Sequence, residues 1–289
     1  MIHHRLAGVI LLAVLFLFAA DAAHDLHAQA SRGAVKRVAL QVCKREAFQV
    51  VIDVGHTMQE PGATSARGVT EYEFNLRLAE HIERSLLDAG FASASLLVTD
   101  GPAKKGLIIR ASRAAERNPD LFISVHHDSV PEHFLEEWEF EGRKLRFSDR
   151  FSGYSMFVSL ENPQARASLQ FGALLGRQLQ ARGLRYTPHY TESFMGGRRR
   201  QLVDATAGIY RFDELWVLRA ARSPAILFEA GSIVNRDEEL LLASGDHRNL
   251  LANAVTDAVE QFCRARQTPA RSVSRAPAQA GFGLPSWRR

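Results

Sequence analysis

An α/β fold, a single domain with a mostly parallel twisted sheet and helices on both faces, is what this sequence predicts. Three observations predict it. Short apolar runs of strand length, such as FQVVIDV, LFISV and AILF, alternate with longer segments that carry apolar residues at helical spacing. The strand runs read as buried strands. Three of them end beside a histidine or glutamate, and open α/β sheets deliver functional groups at their C-terminal strand ends. With 289 residues, 46% hydrophobic and 24% charged, the chain can build a sizeable core. No internal repeat interrupts the pattern.

Taken in order, Val35–Cys43 alternates weakly and reads as an edge strand. Phe48–Val54 is a buried strand with Gly55 as its breaker. The loop Thr57–Gly68 follows, with two glycines and Pro61. Thr70 and Glu73 fit a capping box, Gly90 fits a C-terminal cap, and Phe74, Leu78, Ile82 and Leu86 recur every fourth residue, so 71–89 is a helix. Leu96–Thr99 reads as a short strand, Leu107–Arg117 as a helix ended before Pro119, and Leu121–His126 as a strand. Ser129–Ser152 is polar and aromatic, with EEWEFEG inside it, and reads as an irregular insertion or a hairpin. Tyr154–Leu160 is a strand and Ala165–Arg182 a helix. Pro188–Tyr210 is loop-rich, with Gly196-Gly197 and the triplet Arg198–Arg200. Leu215–Ala221 leads into the strand Ala225–Glu229, and the helices Asp237–Ala243 and Leu250–Phe262 close the domain.

The ends read differently. Residues 1–30 have a weakly basic start at Arg5, an apolar run of 15 residues from Leu6 to Ala20, and small-residue sites at Ala20-Asp21-Ala22 and Ala28-Gln29-Ala30. That is the layout of a secretory signal peptide, cleaved after Ala30, since the run is shorter than the roughly 20 apolar residues of a spanning helix; the alternative is an uncleaved membrane anchor. The domain then runs over 31–263, and the Pro-, Arg-, Ala-, Ser- and Gly-rich segment 264–289 reads as a disordered basic tail. The formal net charge of +4 rises by one when the signal is removed. A basic exported chain suits an anionic cell-envelope polymer. Nucleic acid is disfavoured by export and by the lack of a binding motif, and no membrane association is expected after signal cleavage. Cys43 and Cys263 stand at opposite ends of the folded region; in an oxidising compartment they are expected to be bridged, the alternative being two buried thiols.

The residues that carry chemistry are His56, Glu71, His126 and Glu229. Two histidines and a carboxylate, with a second carboxylate nearby, are what a hydrolytic zinc site needs. Taken alone, each has a structural reading. Glu71 sits in the first turn of a helix, where the dipole favours any acid, and Glu73 competes with it. His126 and His127 are adjacent on a strand end and face opposite ways. Asp128 is either a helper that orients an imidazole or a turn residue. Glu229 follows Ile226-Leu227-Phe228 at the end of a buried strand, where an acid needs a metal, a cation or a catalytic role. Arg219 or Arg222 is the structural alternative as its partner.

The segment VVIDVGHTMQEPGATSARGVTEYEFNLRLAEHI resembles the opening of the zinc-dependent N-acetylmuramoyl-L-alanine amidases of the Amidase_3 type. The pattern is a strand, a Gly-His turn, a Pro-Gly-Ala loop and Gly-x-x-Glu-x-x-x-Asn, with Gly68, Glu71 and Asn75 in register. FISVHHDS resembles the family's Ser-x-His strand through Ser124 and His126. VLRAARSPAILFEAGSIVNRDEE resembles its C-terminal block through Leu218, Arg219, Pro224, Glu229, Gly231 and Asn235. The resemblance covers about residues 48–262. It implies one zinc ion on His56, Glu71 and His126, Glu229 as catalytic acid/base, and peptidoglycan as substrate, in the periplasm or cell envelope. It thereby selects Glu71 over Glu73 and His126 over His127. Arg198, Arg199 and Arg200 are weak candidates for attracting stem-peptide carboxylates.

Two departures from the pattern are the insertion 129–152 and Ser232-Ile233-Val234, which replaces a segment that usually contains an aromatic. Some relatives carry an inhibitory helical insertion after the strand matching Tyr154–Leu160; here an ordinary helix follows within a few residues. The competing readings are a catalytically inactive wall-binding protein of the same fold and a zinc carboxypeptidase-like peptidase. The peptidase pattern usually begins with a tight His-x-x-Glu, whereas 15 residues separate His56 from Glu71. Any protein activator is left unidentified by the sequence.

Overall fold

The computed structural model describes residues 42–102, 109–110, 112–113 and 116–267. Residues 1–41 and 268–289, and with them the signal, most of the Val35–Cys43 strand and most of the tail, lie outside the described residues; Val42 and Cys43 themselves are not in a strand.

Nine strands form the two sheets. The main sheet has seven, ordered β2 (Ala94–Leu97), β1 (Val50–Val54), β3 (Leu121–Asp128), β9 (Ala225–Ser232), β6 (Ser155–Val158), β8 (Ile209–Arg211) and β7 (Leu202–Asp204). β2, β1, β3 and β9 run parallel; β6 pairs antiparallel to β9 and parallel to β8, and β7 closes the edge antiparallel. Four of the six pairings are therefore parallel, as the alternation of strands and helices predicts. The short strands β7 and β8 fall inside the segment read as loop, since three residues carry too little pattern to announce a strand. Segment 129–152 is a hairpin, with β4 (Glu136–Phe140) paired antiparallel to β5 (Arg143–Phe147).

Side-chain alternation divides the sheet into two unequal faces. Val50, Ile52, Val54, Leu121, Ile123, Val125, Ile226 and Phe228 point into a core shared with α1 (Glu71–Asp88), α2 (Ala165–Ala181) and α5 (Gly245–Arg266). Their neighbours Val51, Phe122, Ala225 and Leu227 point the other way, into a smaller core. That face is covered by the segment 190–221, including the short helix α3 (Trp216–Arg219), and Arg110 reaches it at Asp53. Helix α4 (Arg236–Ala243) packs behind the end of β9. Helix α5 extends to Arg266, three residues into the segment read as tail; Arg264, Ala265 and Arg266 are strong helix formers on an exposed last turn.

Cys43 and Cys263 are bridged, with a Cα–Cα distance of 5.4 Å, which ties the chain ahead of β1 to the last helix. At the start of α1, the Thr70 hydroxyl accepts from the Glu73 N–H. The reciprocal half of the expected capping box is not made: the Glu73 carboxylate takes Arg77 one turn on, 3.3 Å away.

Candidate active site at the strand ends

β1, β3 and β9 are adjacent and parallel, so their C-terminal ends meet on one rim. Gly55 ends β1, and His56 follows it in the left-handed region with φ of 66°. A non-glycine residue there stores strain, which recurs where a side chain must be aimed at a site. His126 comes from β3 and Glu229 from β9, and the two are direct partners in the strand register, on the face away from α1. Glu71 reaches over the strand ends from the first turn of α1.

These groups converge. His56 Nε2 lies 3.0 Å from Glu71 Oε2, and His126 Nδ1 lies 2.9 Å from Glu71 Oε1. One ligand atom from each of His56, Glu71 and His126 falls within 4.8 Å of the others, an arrangement that could hold a metal ion. Two glycines permit it. A Cβ on Gly62, whose φ is 78°, would run into Glu71 Oε2 and His56 Nε2, and one on Gly55 would meet the His126 ring at 2.5 Å. Both close approaches demand glycine.

Glu71 is fully engaged. Its N–H donates to the Ala63 carbonyl, and its Oε2 accepts from the Ala63 N–H at 3.1 Å. The Asn75 amide donates to Glu71 Oε1 and to the Gly55 carbonyl, while its oxygen takes the Nδ1 side of His127 at 2.8 Å. Burial pushes the Glu71 carboxyl up, but the hydrogen bonds from His126 and His56 outweigh it and hold the group well below the usual carboxylate range. Asn75 thus clamps Glu71 and draws His127 into the helix layer, away from the site. Sequence reading found Asn75 only as a motif match and gave it no task.

Beneath the rim, Asp53 is buried and accepts from Ser124 at 2.7 Å, with Arg110 at 3.5 Å. Arg110 also bonds Thr99 and the His56 carbonyl, so this pair braces the turn that aims His56. Neither Asp53 nor Arg110 was singled out from the sequence; an acid inside an apolar strand is the signal that could have found them.

Glu229 is the opposite of Glu71. Its Oε2 is buried and has no hydrogen-bond partner among the described residues. Burial raises its pKa well above the ordinary value, and the charges of Asp128 and Glu71 raise it further against a smaller opposing effect of Arg198. The ion pair with Arg219 or Arg222 is not formed: Arg219 reaches Glu161 at 3.7 Å, and no pairing of Arg222 with Glu229 exists. Asp128 orients neither site imidazole. Instead its two oxygens share the single Tyr190 O–H, at 2.7 and 2.8 Å, with Arg198 at 3.5 Å. Of the arginine triplet, only Arg198 stands here. Arg199 bonds the Thr191 carbonyl, and Arg200 stacks on Phe212 at 3.9 Å. Tyr190 could not be found from sequence, since its loop carries no periodicity.

Comparison with known proteins gives the family and the fold. The family model described as N-acetylmuramoyl-L-alanine amidase (Amidase_3) matches residues 50–261. An N-acetylmuramoyl-L-alanine amidase of Mycobacterium tuberculosis is 25% identical over 209 residues, 71% of this chain and 73% of that protein. Among solved structures, the amidase Ami1 of Mycobacterium smegmatis superposes with a TM-score of 0.58 at 19% identity, over 76% of this chain and 98% of that one. The catalytic domain of the amidase CwlV from Bacillus (Paenibacillus) polymyxa gives 0.53 at 22% identity, over 74% and 97%. These likenesses carry the fold, and the family match, spanning most of the chain, carries the family: the chain belongs to the N-acetylmuramoyl-L-alanine amidases.

Proposed function

We propose that this peptidoglycan amidase works with one zinc ion held by His56, Glu71 and His126, and with Glu229 as its acid/base. The observation that carries the reading is the convergence of these three donors beside a carboxylate with an unpartnered buried oxygen. Two imidazole nitrogens and a carboxylate oxygen are a donor set that zinc takes in hydrolytic sites, and the glycine cradle at 55 and 62 keeps their approach open. When bound, the ion supplies Lewis-acid polarisation of the scissile carbonyl and acidifies water.

The chain's own residues do the rest. Asn75 fixes the Glu71 carboxylate, the second-layer contact on which ligand geometry depends. Glu229, with high proton affinity and a free oxygen, accepts a proton from the attacking water. It then passes that proton to the departing L-alanine nitrogen as the bond to the lactyl group of N-acetylmuramic acid breaks. The intact set of four groups disfavours a wall-binding protein without activity. The 15-residue separation of His56 and Glu71 disfavours a carboxypeptidase. A location outside the cytoplasm is supported by the disulfide and by the export signal read in residues 1–30.

Digestion of purified sacculi with the protein, followed by mass spectrometry, tests the reading. Expected products are free stem peptides starting with L-alanine and glycan with unsubstituted lactyl groups, and a chelator should abolish them. Metal analysis should find one zinc per chain, lost in His126→Ala. Full zinc retention in that variant would remove His126 from the ligand set.

A further inference from the structure

Two hollows adjoin the triad, and they differ in chemistry. One, of about 200 Å³, is bordered by His56, His126, Leu215, Val217 and Leu227. Among the described residues its one cation is Arg110, which is buried and committed to Asp53, Thr99 and the His56 carbonyl. The other is a cleft of about 440 Å³ between the loop 62–65 and strand β5; no triad side chain lines it, and it adjoins the triad through Gly62, which packs closely on Glu71 and His56. Val130 and Val234 floor it, and Lys144, Arg146 and Glu132 line its outer side.

The cleft is built rather than incidental. The Ile233 carbonyl holds the loop through the Ala66 N–H at 2.9 Å, and the Val234 carbonyl holds the end of β5 through the Ser148 N–H at 2.9 Å. Both walls therefore hang on the short segment where this chain departs from the family pattern. The hairpin is also pinned through Trp138 Nε1 to the Ala66 carbonyl and Arg143 to the Arg67 carbonyl. The guanidiniums of Arg67 and Arg236 lie over the Trp138 ring at 5.5 and 5.1 Å. It is a fixed wall.

Charge decides what the cleft takes. Lys144 and Arg146 alternate along β5, so they share a face. Arg146 lies 3.5 Å from the exposed Glu132 carboxylate. Lys144 makes no ion pair among the described residues. Glu137 and Glu139 stand opposite Arg146 and Lys144 in register on β4, but neither borders the cleft nor pairs with these cations within 4 Å. The substrate of a muramoyl amidase has two unlike halves, a sugar side and a peptide whose γ-linked D-glutamate leaves a free α-carboxylate. Among the described residues, the hairpin side of the triad offers Lys144 without an ion pair, and Arg146 held only by Glu132, through its carbonyl at 3.0 Å and its exposed carboxylate. Resting on the amidase reading above, we infer that this cleft seats the stem peptide and that Lys144 and Arg146 bind its carboxylates, with Glu132 available to an ammonium further along.

Two measurements on the zinc-loaded protein test the inference. The first compares kcat/KM for N-acetylmuramoyl-L-Ala-γ-D-Glu peptide with that for the same compound amidated at the glutamate α-carboxylate. The second measures binding of the two free peptides, with no turnover involved. Wild type should favour the free carboxylate roughly three- to tenfold in both, the range of a partly solvated ion pair. Lys144→Gln and Arg146→Gln together should bring both ratios to about one, and Lys144→Arg should keep them. Ratios near one in wild type, or ratios unchanged by the double substitution, overturn the inference. Selective peptide binding without any hydrolysis would instead overturn the amidase reading while leaving the cleft assignment standing.

Discussion

The helix-covered face of the sheet and the rim at its strand ends are built on opposite terms. On the helix face, apolar side chains from β1, β3 and β9 meet α1, α2 and α5, and a disulfide fastens the outermost helix. On the rim, His126 and Glu229 sit side by side, Glu71 is wedged between two imidazoles, and Glu229 keeps a buried oxygen without a partner. Even the two carboxylates of the rim contrast. Glu71 has every oxygen engaged and is held charged, whereas Glu229 is left wanting a proton. The difference teaches that stability is concentrated on one side of the sheet, so that the other can carry groups whose folded environment costs energy.

The substitution that breaks this contrast most directly is Glu229→Gln. It should lower turnover by about 10²–10⁴-fold, the usual share of a general acid/base. The melting temperature should stay the same or rise, because a neutral amide is cheaper to bury beside Asp128 and Glu71. Steady-state kinetics and calorimetry on one preparation check both halves. A wild-type rate would return Glu229 to a structural role.

The helix face should answer in reverse. Replacing Cys43 and Cys263 by serine opens a cross-link that spans 220 residues of sequence. The chain-entropy model puts its worth at about 5 kcal/mol, although long loops often return less. Denaturant unfolding should show the loss, while kcat at moderate temperature stays near wild type. A matching fall in kcat would mean that the two sides are mechanically coupled.

The smallest effect sharpens the comparison within the rim's neighbourhood. His189 is buried against Tyr190 and Phe151; its Nε2 makes no hydrogen bond and lies 3.9 Å from Asp128, and burial, aided by the Arg198 charge, lowers its pKa to about 4. Between that value and an unfolded value near 6.5, the unfolded chain binds a proton that the folded one refuses. Stability therefore rises with pH across this window and is lost on acidification through it, by roughly 3 kcal/mol. His189→Phe keeps a ring in the stack and should flatten the melting temperature between pH 4 and 6.5. An unchanged slope would assign the acid sensitivity to other groups.

The local parts of this molecule are legible in its sequence. The apolar runs of β1, β3 and β9, the helix after Thr70 and the residues at the strand ends all follow from short-range pattern, because burial on both faces and capping are written into neighbouring residues. The four proposed site residues were named with them, the choice between His126 and His127, or Glu71 and Glu73, resting on family resemblance and not on spacing. What only the tertiary structure decided lies in contacts between segments far apart in sequence. Register put His126 beside Glu229. Asn75 turned His127 away. Tyr190 claimed Asp128, and Arg77 claimed Glu73. Arg198 alone of its triplet reached the rim, and Trp138 docked the hairpin that walls the cleft. A polar side chain can be satisfied by any partner that the fold brings within hydrogen-bond range, and its own neighbours in sequence do not say which partner that will be.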